Sequence, residues 1–213
     1  MAVVGFEKVH VGIFDEDEKI KKLMTWKDEH GGTVNLNISG LAPEKVEMRA
    51  SNKTVWSKKQ GTGEVQSELD LFNVPDKDLD AVLGRDMDDN GTSWVGEDSR
   101  APYVALIGES ADLLSGDPVY CALTKGTMSL ESIEWKTTAK EEEEPEPQQL
   151  TGDWIARTID GNSRIYGYHV GKKGADELFK SVFPGYEDVK DDDSDNSNED
   201  SNDNENEEET VTP

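Results

Sequence analysis

Val34, Leu36 and Ile38 alternate with Asn35, Asn37 and Ser39, the period-two signature of a strand with one apolar and one wet face. The same period appears at Val9, Val11 and Ile13, before the acidic break Asp15–Glu18, and again where Val46 and Met48 alternate with Glu47 and Arg49. Further strands are expected at Val55–Trp56, through Val65, Leu69 and Leu71, and at Trp94–Val95, Tyr103–Ile107, Pro118–Leu123 and Met128–Trp135. Late in the chain Trp154, Ala156 and Thr158 alternate, and Arg164–Val170 follows the turn at Asn162. Gly40–Pro43 and Gly61–Gly63 read as turns between these runs.

The period changes twice. Between Pro75 and Gly84, Leu79, Val82 and Leu83 fall at helical spacing, with proline suited to the first turn and glycine to the stop. Gly174–Phe183 predicts a short late helix carrying Leu178, Phe179 and Val182, closed by Pro184–Gly185. Strands outnumber helices and fall in hairpin-like pairs. The expected fold is therefore mainly β: a two-sheet β-sandwich or barrel with one packed α-helix, a short late helix and a disordered acidic C-terminal tail.

Composition explains the tail. The chain has 213 residues, a net charge of −25 and only 33% hydrophobic residues. From Glu187 to Pro213 there are thirteen acidic residues and one lysine, a net −12 that leaves −13 to residues 1–186. This stretch has no aromatic residue, so it lacks the apolar area that offsets the entropy of ordering. Two units follow: a domain over residues 1–186 and a disordered acidic tail over 187–213. The acidic, proline-bearing run 141–147 reads as an exposed linker or long loop.

The charge also excludes function classes. A tight nucleic-acid binder neutralises phosphates with clustered cations. Here the basic clusters are short and flanked by acids: Lys19, Lys21 and Lys22, then Lys58–Lys59, then Lys172–Lys173. Cys121 is the only cysteine, so no intramolecular disulfide is expected, and its apolar run Val119–Leu123 suits a small buried hydrophobe. His10, His30 and His169 are far apart in sequence. No acid–base pair stands out, and no phosphate loop is present, because Gly61 and Gly63 lack the following lysine and helix. No catalytic residue and no cofactor is expected. No run approaches the ~18 apolar residues of a membrane span, and Met1–Phe14 lacks the features of a signal peptide.

One motif carries possible metal chemistry. Asp86, Asp88, Asn90, Gly91 and Glu97 satisfy the calcium-loop template position for position, offering carboxylate and amide oxygens to a hard cation. The competing explanation is a hairpin turn, since Asn90–Gly91 is its commonest signature and Pro102 rules out a following helix. The hairpin is preferred, with a soluble calcium-binding β-sandwich module kept as the alternative function.

A resemblance enters in the middle of the chain. Pro102–Leu106, the run Val119–Gly126, Lys136 with the two threonines after it, and a Glu-rich stretch follow in an order similar to the phi13-type major tail proteins of long-tailed bacteriophages. Leu150–Trp154, then Asp160–Gly161, then Val182–Gly185 continue the likeness, which covers roughly residues 1–186; Asn35–Ser39 and the Leu79–Gly84 helix fit more loosely. The resemblance implies a self-assembling tail tube subunit, commonly hexameric, whose stacked rings surround a tape measure protein and later pass the genome. It implies as partners other copies of itself, the tape measure, and tail-terminator or baseplate proteins. DNA would pass without specific binding, and no membrane is involved. It implies the virion tail as location after synthesis in the host bacterial cytoplasm, and it carries over no catalytic residue.

Overall fold

A computed structural model describes residues 3–137 and 146–188. The acidic tail beyond Asp188 and residues 141–145 of the expected linker lie outside the described residues. Within them the chain is mainly β, with fourteen strands, two α-helices and a closing 3-10 turn. The strands are β1 (Val3–Phe14), β2 (Ile20–Lys27), β3 (Gly32–Ser39), β4 (Lys45–Ala50), β5 (Lys53–Lys59) and β6 (Val65–Phe72). Helix α1 (Asp76–Leu83) precedes β7 (Asp86–Met87), β8 (Ser93–Trp94), β9 (Val104–Asp112) and β10 (Pro118–Ser129). Then come β11 (Gln148–Trp154), β12 (Arg157–Ile159), β13 (Asn162–Arg164), β14 (Tyr166–Val170), helix α2 (Ala175–Val182) and the 3-10 turn Tyr186–Asp188.

One antiparallel sheet dominates, in the order β2-β1-β9-β10-β11-β6-β3, with β14 added beside β10. Strand β10 serves two neighbours: Val119–Leu123 pairs with β14, and Gly126–Ser129 pairs with β11. The register shift between Leu123 and Gly126 marks where it bends from one to the other. At the far edge, β3 returns against β1, and the Thr33 hydroxyl donates to the Phe6 carbonyl. Register shifts at Thr33/Asn35 in β3 and around Phe6 in β1 accompany this approach. The sheet is thus rolled over its own core but not closed, because β2 and β3 form no ladder with each other.

The inside of the roll holds the main core: Val9, Val11, Trp26, Leu69, Leu106, Leu123 and Leu150 are all fully buried. A second cluster lies on the outer face, where Ile107, Ala122 and Ala105 meet Val182 and Phe183 of the α2 region. This explains why β9 reads as a continuous apolar run: both of its faces are covered. It also explains β2, which the alternation did not predict. Leu23 belongs to the outer cluster and Met24 to the inner core, so adjacent residues are both buried.

Helix α1 forms where expected. Gly84 ends it in the left-handed region (φ 63°), with its amide bonded to the Asp80 carbonyl. A Cβ at Gly84 would stand 1.9 Å from the Arg100 carbonyl oxygen, so only glycine fits. The expected strand Met128–Trp135 stops at Ser129, and Ile133 and Trp135 beyond it are exposed. The pattern there failed because its apolar residues have no sheet to face.

Candidate functional site: an assembly surface

The rolled sheet leaves one broad face bare. On β3, Asn35, Asn37 and Ser39 point away from the core, as the alternation predicted. Cross-strand register sets Asn35 opposite Asp70, Asn37 opposite Glu68 and Ser39 opposite Gln66 on β6. The next strand continues the rows: Gln149 opposite Asp70, Thr151 opposite Glu68 and Asp153 opposite Gln66. Beneath them, Val65, Ser67, Leu69 and Leu71 alternate into the core.

Amide donors bind the carboxylates of this face together. Asn35 Nδ2 donates to Asp70 Oδ2 (3.2 Å), and Gln149 Nε2 donates to Asp70 Oδ1 (2.8 Å). Asn37 Nδ2 donates to Glu68 Oε2 (3.2 Å), and Gln66 Nε2 donates to Asp153 Oδ1 (2.9 Å). Ser129 and Thr151 hydroxyls lie 2.8 Å apart where β10 joins the array. These rows hold Glu68, Asp70 and Asp153 with no lysine or arginine among them. Neutral amides fix the carboxylates in place without cancelling their charge. Glu47 and Glu64 are not part of this face: Glu47 sits on β4, and Glu64 precedes β6.

Strands β4 and β5 pair only with each other, as do β7 and β8, and as do β12 and β13. All of β4 and β5 is exposed, including Val46, Met48 and Trp56. No sequence signal separates such an unpartnered hairpin from a strand of the main sheet, since both alternate.

The calcium-loop residues form the β7–β8 ribbon. Asp86 pairs with Trp94 across it, and Gly91 takes the positive φ (81°) of the turn. The Asp88 carboxylate accepts from the Thr92 and Asn90 amides (both 2.9 Å) and from Trp94 Nε1 (3.0 Å). These bonds, the Thr92 amide foremost, hold Asp88 below the usual carboxylate range. Asn90 sits at the tip of this turn, and Glu97 lies past the end of β8. Among the described residues, no group of three or more His, Cys, Asp or Glu is arranged to hold a metal ion.

Nor does the sheet assemble a thiol–imidazole pair from Cys121 with His10 or His169. Cys121 pairs with Tyr168 and Gly108, whereas His169 pairs with Tyr120 and His10 with Ile107. Neighbouring register positions point to opposite faces, so Cys121 is turned away from both imidazoles. Burial raises the thiol pKa and keeps it protonated. His10 is engaged with Glu109 (2.8 Å) and Thr25 (2.9 Å) instead. The Lys8 ammonium stands 3.2 Å from the same Glu109 carboxylate. Burial pushes Glu109 upward, but the bonds and charges of His10 and Lys8 outweigh it and hold the group below its ordinary value.

What remains is a surface suited to association: a bare acidic sheet face and stand-off ribbons bearing exposed apolar side chains. No helix is long and apolar enough to cross a membrane among the described residues. A search of curated proteins found none that matches. The family model for the phage tail tube protein matches residues 1–191, which include every described residue, and the chain belongs to that family of structural proteins of the virion tail.

Proposed function

We propose that copies of this chain form rings, hexameric as the family resemblance implies, that stack into a tube through which the genome passes. The observation that carries this reading is the amide-braced face of β3, β6 and β11, whose charged members are all carboxylates. Double-stranded DNA carries one negative charge per ~1.7 Å of axis, so a cationic wall would hold it in place. A wall lined by Glu68, Asp70 and Asp153 repels phosphate, and each carboxylate recurs in every subunit of the ring. The chain acts as a conduit rather than an enzyme. Its partners are its own copies, the tape measure protein, and terminator or baseplate proteins at the tube ends. The acidic stretch 187–213 lies outside the tube wall, where like charge keeps it from the lumen.

Negative-stain microscopy of the purified full chain tests the reading. Rings or tubes are expected. Monodisperse monomers that bind calcium at Asp86–Glu97 would instead support a soluble binding module.

A further inference from the structure

The β4–β5 hairpin carries a charge opposite to the rest of the molecule. Residues 45–59 hold five basic side chains and one acidic, within a chain of net charge −25. Register places Val46 with Lys58, Met48 with Trp56 and Ala50 with Lys53 on one face. That face is an apolar stripe flanked by two ammonium groups. Val46 and Met48 are each 61% exposed and Trp56 is 48% exposed. A lone two-stranded hairpin is marginal in water, so an apolar face of this kind gains stability only when something covers it.

A matching surface lies elsewhere on the same chain. Residues 76–98, spanning α1 and the β7–β8 ribbon, carry eight acidic side chains against two basic. Trp94 (61% exposed) shares a ribbon face with Asp86, and Val95 next to it is exposed, while Met87 is exposed on the opposite face with Ser93. Ser93 fastens the ribbon to α1 by donating to the buried Asp80 carboxylate, and within the ribbon Trp94 Nε1 donates to Asp88. This surface is therefore a rigid aromatic platform ringed by carboxylates. Lysines approaching such a platform gain both ion pairs and the attraction of the indole face.

We propose that the β4–β5 hairpin of one copy docks on the α1/β7–β8 surface of a second copy, with Trp56 and Met48 packed against Trp94. The inference rests on the tube reading and names its joint. Self-pairing of either surface sets like charges together, so the contact is heterologous, hairpin to ribbon. A heterologous contact repeats from copy to copy and builds rings or stacks, whereas a self-complementary one stops at a dimer.

Charge reversal at each surface tests this in the full chain. Lys53→Glu with Lys58→Glu reverses the hairpin, and Asp86→Lys with Asp89→Lys reverses the ribbon while sparing the turn-holding Asp88. Each pair is expected to raise the protein concentration needed for assembly at least tenfold, by light scattering and microscopy, with the melting temperature unchanged. The chain carrying all four changes is expected to recover assembly, because the charges match again. Should a reversed variant melt early, the neutral pair Lys53→Gln and Lys58→Gln replaces it, with a smaller rise expected. Reversed or neutral variants that assemble like the wild type overturn the joint, as does a four-fold variant that stays folded and no better than its parents. Wild-type protein that fails to assemble overturns the tube reading instead.

Discussion

Arg157 and Glu109 show what single residues do here beyond filling space. Arg157 is buried, sends its Nη2 to the Ser181 and Val182 carbonyls at the end of α2, and stacks over Phe14. A cation at these carbonyls satisfies groups that a helix end leaves bare. Arg157→Ala is expected to destabilise the fold by about 2 kcal/mol, read as a lower midpoint in urea unfolding. An unchanged midpoint would remove this role. Glu109 makes a pH-dependent contribution. Its folded pKa lies below the ordinary 4.5, so its contribution is complete above that value and is lost as pH falls through the lowered one. Wild type should therefore melt higher than Glu109→Gln at pH 7, and the gap should close as pH falls through the lowered Glu109 titration. A gap that persists in acid would show that charge is not the cause.

Some of these residues were legible and others were not. Gly84 could be read because a stop after a helical period is local information. Asn35, Asn37 and Ser39 could be read because alternation assigns a face. Glu109 and His10 were invisible: they are ninety-nine positions apart and meet only through the pairing of β1 with β9.

At the scale of elements, the patterns succeeded wherever one face is wet. β6 alternates perfectly between core and solvent, and its strand was anticipated. β2 escaped because Lys22 sits on its core side, where it meets α1, and Leu23 on its outer side is buried against the α2 cluster, so the alternation is broken on both faces. Its lysines are more than a solvated charge run, since Lys22 pairs with Asp78 of α1 at 2.8 Å. The β4–β5 hairpin shows the opposite failure: alternation is present, yet no core receives its apolar side. The Asp86–Glu97 ribbon yields a prediction of its own. With the Asp88 oxygens already accepting three bonds, calorimetry should show no saturable calcium heat below about 1 mM, at the weak end for calcium sites. Saturable heat that vanishes in Asp86→Ala/Glu97→Ala would restore the metal reading.

The whole molecule joins an open, rolled sheet to a strongly acidic chain, and the family match covers the sheet and ends at residue 191. The 3-10 turn runs to Asp188, and Lys180 pairs with Glu187 at 2.8 Å. Truncation after Asp188 keeps that pair. It is expected to leave tube formation intact by negative stain, and loss of assembly would place the acidic stretch within the wall.

In the proposed tube, the β3–β6–β11 face lines a channel for DNA. A cryo-EM map of tubes assembled from the full chain tests it most directly. Stacked rings are expected, with a lumen that presents Asn35, Asn37, Glu68, Asp70 and Asp153. A lumen dominated by lysine and arginine, or that face buried between subunits, would contradict it.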